Sequence, residues 1–172
     1  VGMSGGVDSS VAAALLVEQG YEVIGVTLKT YNYDDVGGNA LNESSCCSLD
    51  GINDARMVCH NLGIPHYVMD FSAEFKEHVI DMFVDEYIAG NTPNPCVICN
   101  RKIKWERLIQ KGLNLGADYV AMGHYAHVVH DEASGRHWIT RGGDGDKDQS
   151  YALWAVSQDS LARTLFPLTG MT

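Results

Sequence analysis

The chain has 172 residues, of which 45% are hydrophobic and 20% are charged. This length and composition predict a globular domain with its own core, and no apolar run approaches the roughly 20 residues that a membrane span needs. Twelve Lys and Arg against 22 Asp and Glu give a net charge of −10, which excludes indiscriminate binding to nucleic acids or anionic membranes unless a local basic patch is present.

Short β-rich runs alternate with helical segments, which predicts a parallel sheet covered by helices. In chain order we expect a strand tail at residues 1–3, a helix at 11–17, a strand at 21–28, a helix at 52–62, a strand at 66–71 and a helix at 75–87. The remaining predicted elements are a loop at 92–99, a helix capped by Asn100, a strand at 118–122, a hairpin of 128–131 with 138–141, and a short helix within 150–166. Trp105 and Trp154 are expected to be core or packing residues.

The most informative motif is the run Ser4-Gly5-Gly6-Val7-Asp8-Ser9-Ser10, between the first strand and the first helix. Its glycines permit a tight turn that brings backbone N–H groups against an anion, and the following helix adds the positive end of its dipole. The serine hydroxyls add donors, and Asp8 can orient the loop or hold Mg²⁺. The run is neither a Walker loop nor a dinucleotide-binding loop, since it lacks both glycine patterns. A Gly-Ser turn that only caps a helix is the alternative.

This run resembles the pyrophosphate loop of the ATP pyrophosphatase superfamily, whose members activate a substrate oxygen as an adenylate and release pyrophosphate. Within that superfamily the chain is similar to the tRNA-specific 2-thiouridylases. The matching stretches, in one order along the chain, are 2–10, 92–95, 99–100, 103–104, 123–125 and 147–151. The resemblance implies an α/β fold with a doubly wound, mostly parallel sheet and helices on both faces, of the adenine-nucleotide alpha-hydrolase type.

The resemblance also implies roles for individual residues. The residues that it assigns to ATP are Gly2, Met3, Ser4, Gly5, Gly6, Val7, Asp8, Ser9, Leu28 and Gly123. Those that it assigns to tRNA are Asn94, Pro95 and Cys96 beside the target uridine, His124, and Lys147, Asp148 and Gln149. Cys99 matches the family's first catalytic cysteine, and Asp8 joins it in the expected catalytic set. Leu28 stands where the family usually has Met, an apolar exchange that should still pack the adenine base.

The implied chemistry accounts for these residue types. Oxygen at C2 of uracil is a poor leaving group, so ATP, with Mg²⁺ bridging its phosphates, converts it to an adenylated oxygen. A sulfur nucleophile then displaces AMP, and cysteine suits this step because its thiolate or persulfide is strongly nucleophilic. Cys99 is expected immediately before a helix start, where the helix dipole favours the thiolate. A small buried hydrophobe is the alternative for this residue.

The five cysteines are an odd number in a sequence that shows no export signal, so we expect a reducing, cytoplasmic compartment. Cys96 stands where many thiouridylases carry Asp, and it forms a Cys-x-x-Cys pair with Cys99. Three interpretations stay open: Cys96 is only a neighbour of the nucleophile, the two form a redox or zinc pair, or they hold an iron–sulfur cluster with another thiolate. The family's second catalytic cysteine, which the resemblance places beyond residue 172, could supply that thiolate. Cys46 and Cys47 could also contribute, although a structural role in their loop is favoured, and Cys59 is expected in the core.

A basic run follows the cysteine loop. Its members are Arg101, Lys102, Lys104, Arg107 and Lys111, with Glu106 as the one acid among them. These residues could grip phosphates of a tRNA arm, and a solvated helix face is the alternative. His124, His127 and His130 recur every three residues, a spacing that alternates between the faces of a strand, so we expect no metal site there. His124, at the carboxyl end of a strand, is a candidate substrate contact.

We expect residues 1–172 to form one ATP-binding catalytic domain, truncated at both ends and without the C-terminal tRNA-binding regions and second cysteine of the family. Such a domain should fold and bind ATP but thiolate tRNA poorly. Its expected partners are tRNA and a sulfur donor, either a protein relay or inorganic sulfide, with no membrane. Two rival functions are another adenylating enzyme, such as an amide-forming synthetase, and a non-catalytic module that senses ATP or holds a metal cluster.

Overall fold

The structure, a computed structural model, describes residues 1–31, 49–143 and 145–171, so the predictions for Cys46 and Cys47 lie outside the described residues. Its strands are β1 (Gly25–Lys29), β2 (His66–Asp70), β3 (Val120–Ala121), β4 (Ala126–Asp131), β5 (Arg136–Arg141) and β6 (Thr164–Leu165). Its helices are α1 (Val7–Glu18), α2 (Leu49–Leu62), α3 (Ser72–Phe75), α4 (Met82–Ile88), α5 (Pro95–Ile98), α6 (Leu108–Asn114) and α7 (Gln158–Leu161). π-helical turns over Lys76–Asp81 and Cys99–Arg107 join α3 to α4 and α5 to α6, and a 3₁₀ turn spans Ser150–Ala152.

Residues 1–3 form the centre of a parallel sheet. β1 pairs with β2, and β3 pairs with β6, both in parallel. Residues 1–3 join these pairs, because Met3 N donates to Val26 O at 2.8 Å and Gly2 N donates to Ala121 O at 2.9 Å. The strand order is therefore β2, β1, residues 1–3, β3, β6, and it reverses at residues 1–3. In doubly wound sheets the crevice at such a reversal, at the carboxyl ends of the strands, is where ligands bind.

Helices cover both faces of this sheet, which confirms the predicted α/β fold. On one face Met3 packs with Ala13 of α1 and with Ala55 and Cys59 of α2, so Cys59 is a core residue as predicted. The buried cluster on the other face contains Val26, Trp105, Leu108, Ile109, Val120, Met122, Ala126, Leu153, Val156, Leu161 and Phe166. Among the described residues no helix is both long and apolar enough to cross a membrane.

The helix that carries the cysteine pair starts earlier than predicted. Asn94 Oδ1 accepts from Cys96 N at 3.0 Å, which caps a helical segment that begins at Pro95 and continues to residue 114. The prediction that Asn100 caps this helix is therefore wrong. Asn100 is buried in the second turn, and its Nδ2 donates to Ala152 O at 3.0 Å.

Two further predictions concern residues near the surface. The strand predicted at 21–28 begins only at Gly25, since Tyr21 and Glu22 are exposed where the chain leaves α1. Trp105 is fully buried as predicted, but the prediction that Trp154 packs inside the protein is wrong, because its side chain is 75% exposed. Its neighbours Ala152, Leu153 and Val156 take the inward positions of this short segment. The hairpin of β4 with β5 forms where it is predicted.

Candidate active site

A cavity of about 600 Å³ lies at the carboxyl ends of residues 1–3 and β3. Twelve of the predicted site residues line it: Gly2, Met3, Ser4, Asp8, Ser9, Leu28, Pro95, Cys96, Cys99, Gly123, His124 and Gln149. The predicted residues that do not line it are Gly5, Gly6, Val7, Asn94, Lys147 and Asp148. The volume lies within the range of sites for small molecules and cofactors. The fold thus brings residues from five parts of the sequence to one place.

Loop 4–6 connects the central strand to α1, and its own hydrogen bonds hold its shape. Ser9 Oγ accepts from Ser4 N at 3.2 Å and donates to Gly6 O at 3.0 Å, and Ser10 Oγ donates to Gly6 O at 2.8 Å. These two hydroxyls therefore stabilise the loop instead of offering their protons to a ligand, which corrects that part of the prediction. Gly6 is the N-cap of α1 and has no side chain to cap it, so the donors at this end are backbone N–H groups.

Two glycines allow neighbouring backbone segments to pack closely at this loop: Gly5 lies against α2, and Gly123 lies against the first turn of α1. Gly5 has a φ of +84°, and a Cβ on it would lie only 2.7 Å from the Cα of Gly51 in α2. A Cβ on Gly123 would lie 2.8 Å from the carbonyl carbon of Asp8 and from the nitrogen of Ser9. The end of β3 therefore presents bare backbone to the first turn of α1. The missing side chain of Gly123 therefore lets the end of β3 pack directly on the first turn of α1 at the edge of the cavity.

Cys96 and Cys99 both line the cavity, one helical turn apart. Asn94 is the N-cap and Pro95 the first residue of α5, so Cys96 occupies the first turn and is exposed. Cys99 is half-buried, and its backbone N donates to the carbonyl oxygens of Cys96 and Pro95. The prediction that Cys99 immediately precedes a helix start is therefore wrong. The position at which the helix dipole acts most strongly on a thiolate belongs to Cys96.

The described residues do not complete a metal site. Nowhere in residues 1–31, 49–143 and 145–171 is a group of three or more His, Cys, Asp or Glu placed to hold a metal ion. Cys96 and Cys99 thus supply two thiolates, and a cluster would need further ligands from other residues. His130 stacks on His137 across the hairpin with ring centroids 4.6 Å apart, whereas His124 packs against Trp105 and Phe166. The iron–sulfur interpretation stays a prediction.

Two residues of the stretch 147–149, Lys147 and Gln149, contact Tyr125. Gln149 Oε1 accepts from Tyr125 N at 3.2 Å, and Gln149 N donates to Tyr125 O at 3.0 Å. Lys147 Nζ lies 5.1 Å from the centre of the Tyr125 ring. The Asp148 carboxylate accepts from Ser150 N at 3.2 Å and from Ser150 Oγ at 2.9 Å. Asp148 therefore shapes the turn that follows, while Gln149 faces the cavity.

His124 is held between aromatic rings at the edge of the cavity. Its ring centroid lies 5.5 Å from that of Trp105 and 6.2 Å from that of Phe166. Its Nδ1 is buried and has no hydrogen-bond partner among the described residues. Burial, with a smaller contribution from the charge of Lys104, lowers the pKa of His124 from 6.5 to about 3. The imidazole is therefore neutral near pH 7 and can contact a ligand as a neutral hydrogen-bonding group, but not as a cation.

The basic run divides between the surface and the cavity. Arg101 Nε and Lys102 Nζ lie 3.3 Å and 3.0 Å from the carboxylate oxygens of Glu106, so this acid offsets part of their charge. Lys104 instead lines the cavity, near His124. The part of the run that the site can use for phosphate or nucleobase contacts is thus Lys104. The sequence pattern did not distinguish it from its neighbours.

Comparisons with known proteins identify the family of this chain. A family model described as the tRNA methyl transferase HUP domain matches residues 1–172. The chain belongs to this family. It is 56% identical over 172 residues to the tRNA-specific 2-thiouridylase MnmA of Heliobacterium modesticaldum, and 55% identical over 168 residues to that of Amoebophilus asiaticus. These alignments cover 100% and 98% of this chain but 44% of each relative, so the chain spans less than half the length of the curated relatives that it matches.

Several residues of this HUP domain that line the cavity were not predicted as site residues. Phe75, Val79 and Ile103 form an apolar wall next to Cys99. Tyr125 does not line the cavity but contacts two residues that do, Asp8 and Gln149; it was part of a matching stretch but received no role. Its signal in the sequence is its place directly after Gly123 and His124.

We expect His124 to make the domain less stable at mildly acidic pH. Below about pH 6.5 the His124 side chain of the unfolded protein binds a proton. In the folded protein the same side chain does not bind a proton until about pH 3. The free energy of unfolding should therefore fall by up to about 1.4 kcal/mol per pH unit on this account as the pH drops through that window. Urea titrations between about pH 7 and pH 4.5 measure the slope.

His124→Phe keeps a ring between Trp105 and Phe166 and should flatten that slope. His66, whose pKa burial also lowers, stays in both proteins and contributes equally to each. His127→Phe, an exposed position on β4, is the matched control and should keep the slope of the unchanged chain. Equal slopes for the two variants would contradict the prediction.

Proposed function

We propose that this chain is the ATP-dependent catalytic domain of a tRNA 2-thiouridylase that acts on the wobble uridine. The observation that supports it is that loop 4–6 and the Cys99 thiol border one cavity, with Ser4 and Asp8 on one side and Cys99 on another. A module that only senses ATP has no use for a thiol there. The names of the relatives, tRNA-specific 2-thiouridylases, support the same substrate and reaction.

The nucleotide part of the proposal depends on the residues at the start of α1. The backbone N–H groups there would bind the phosphates, and Gly123, which lines the same cavity, would contact the sugar. Leu28, half-buried at the end of β1, would pack against the adenine base. The Asp8 carboxylate would hold Mg²⁺, a cation that prefers oxygen ligands and neutralises charge on the phosphates. These residues fit ATP better than a dinucleotide, because the loop lacks the glycine spacing of that class.

The sulfur-transfer part of the proposal depends on Cys99 and the apolar residues beside it. The C2 oxygen of uridine attacks the α-phosphorus of ATP, and pyrophosphate leaves. The outer sulfur of a persulfide on Cys99 then attacks C2 and AMP leaves, which joins the base to Cys99 through a disulfide bond. A second thiol attacks the Cys99 sulfur, so that a new disulfide forms with Cys99 and the 2-thiouridine is released. An adenylated uridine is open to hydrolysis, so the site must exclude water. Phe75, Val79 and Ile103 line the cavity beside Cys99 and would serve that purpose.

The tRNA part of the proposal depends on polar groups around the same cavity. Lys104 lines it, and Lys147 is exposed beside Tyr125, so both could meet phosphates although the whole chain carries a net charge of −10. Asn94, Pro95 and Cys96 lie at the start of the helical segment and would border the target base. His124, neutral and with an unpartnered Nδ1, would contact RNA as a hydrogen-bonding group.

The test uses a chimera in which residues 1–172 replace the matching part of the Heliobacterium modesticaldum relative. Pyrophosphate release from ATP is measured with a tRNA that has an unmodified wobble uridine and with the same tRNA already carrying 2-thiouridine. We expect release with the first tRNA and none above background with the second, since the second has no C2 oxygen to activate.

Other outcomes of this test would favour one of the two rival functions. Equal release with both tRNAs, or with ammonia and no tRNA, would contradict the proposal and favour an amide-forming synthetase. ATP binding without pyrophosphate release from either tRNA would favour a non-catalytic ATP-sensing module.

A further inference from the structure

Tyr125 connects three stretches that the sequence places far apart. Its hydroxyl donates to Asp8 Oδ1 at 3.0 Å, across 117 residues of sequence. Its backbone exchanges two hydrogen bonds with Gln149, and Lys147 lies over its ring. The side chain is 9% exposed and packs against Ala12. A ring fixed in this way can hold the carboxylate that it contacts in one orientation.

We propose that Tyr125 is a positioning residue that fixes the Asp8 carboxylate for Mg·ATP and transmits RNA contact at 147–149 to the ATP loop. The inference depends on the proposed function, because it assumes that Mg·ATP binds at loop 4–6. Asp8 itself is exposed at the first turn of α1, so without the tyrosine hydroxyl its side chain could take other rotamers. A hydrogen bond to a carboxylate is among the stronger ones, which makes this contact suited to holding it.

The same geometry predicts coupling between the two ligands. RNA that binds Lys147 or Gln149 acts on the segment whose backbone is bonded to Tyr125, and the tyrosine hydroxyl acts on Asp8. Two ligands that favour the same arrangement of such a linked element bind with positive cooperativity, and the coupling is reciprocal. RNA bound at 147–149 should therefore tighten Mg·ATP binding, and Mg·ATP should tighten RNA binding by the same factor.

The first experiment measures binding of ATP to the chain by calorimetry, with Mg²⁺ and with EDTA. Tyr125→Phe keeps the buried ring and removes only the hydroxyl. We expect it to weaken Mg·ATP binding by about tenfold and metal-free ATP by less than about twofold. Tyr119→Phe, the same change at a 51% exposed tyrosine, should leave both affinities unchanged. In an Asp8→Asn background, Tyr125→Phe should have no further effect on Mg·ATP.

Different failures identify different errors. If the unchanged chain does not bind Mg·ATP, the proposed function fails. If it binds and Asp8→Asn weakens binding while Tyr125→Phe does not, the positioning role fails alone. Equal weakening of Mg·ATP and metal-free ATP by Tyr125→Phe would indicate a merely structural role and also overturn the inference.

The second experiment measures coupling in the chimera described above. Mg·ATP affinity is determined with and without saturating tRNA. We expect tRNA to tighten Mg·ATP binding by about fivefold or more in the unchanged chimera and by a factor near one in Tyr125→Phe. No effect of tRNA in the unchanged chimera, or an undiminished effect in Tyr125→Phe, would overturn the transmission of RNA contact through Tyr125.

Discussion

Replacing Cys99 with serine is expected to lower tRNA thiolation in the chimera by at least about 1,000-fold while Mg·ATP affinity changes by less than about twofold. The hydroxyl of serine cannot carry a persulfide and is a far weaker nucleophile near neutral pH, so the step at C2 of uridine stops. In the proposed function loop 4–6 and Gly123 bind ATP, and the hydrogen bonds that hold the loop join Ser4, Gly6 and Ser9 to one another. Thiolation is measured as sulfur incorporated into the tRNA, and affinity by calorimetry.

Cys96→Ser is the matched control, because it makes the same atomic change one helical turn away in the same cavity. If Cys96 is only a neighbour of the nucleophile, thiolation persists in Cys96→Ser and also in Cys96→Asp, which installs the residue that many thiouridylases carry. If the two cysteines form a redox pair or hold a cluster, both variants lose thiolation. A Cys99→Ser chimera that still thiolates tRNA at the rate of the unchanged chimera would contradict the assignment of Cys99.

Iron and sulfide assays separate the two remaining interpretations of the cysteine pair. The chimera is purified without oxygen, and its optical spectrum and iron and sulfide contents are compared with those of Cys96→Ser and Cys99→Ser. A cluster would give iron and sulfide that both substitutions remove. Protein without iron that nevertheless thiolates tRNA would leave persulfide transfer as the route.

The sequence predicted those features of the site that depend on neighbouring residues. The run 4–10 specifies a turn through its own glycines and serines, and the structure places the turn there, although α1 begins at Val7 inside the run and not at residue 11 as predicted. Features that depend on contacts between residues far apart in the sequence could not be predicted. His124 is neutral because Trp105 and Phe166 enclose it, and neither lies near it in sequence. Likewise, nothing local indicates that Tyr125 contacts Asp8.

The error at the cysteine helix has a local cause. The two prolines at 93 and 95 were interpreted as marks of a loop, because proline withholds a backbone donor. Proline is also favoured at the first position of a helix, where no donor is needed, and Asn is a strong cap immediately before it. Asn94-Pro95 is therefore a helix start, and Cys99 lies one turn inside. A correct start would have assigned the first-turn position to Cys96 from the sequence alone.

Gly5→Ala is expected to lower the melting temperature by about 10 °C and to weaken ATP binding by at least about 30-fold at temperatures where the variant stays folded. Two costs add at this position. Alanine is strained at a φ of +84°, by about 1 kcal/mol or more, and its Cβ would collide with backbone atoms of Gly51. Since Gly51 belongs to α2, relief requires the loop and that helix to separate. The loop then loses the shape that places the start of α1 at the cavity.

Gly20→Ala separates the two costs, because Gly20 has a φ of +85° and nothing lies within 4 Å of a Cβ built on it. It carries the backbone strain alone, so its melting temperature should fall by only about 3 °C and its ATP affinity should not change. Calorimetric melting and ATP titration of the two variants measure the difference. Equal loss of stability in both would show that the contact with Gly51 contributes nothing. Unchanged ATP affinity in folded Gly5→Ala would mean that loop 4–6 does not bind the nucleotide, and the proposed adenylation of uridine would have no site.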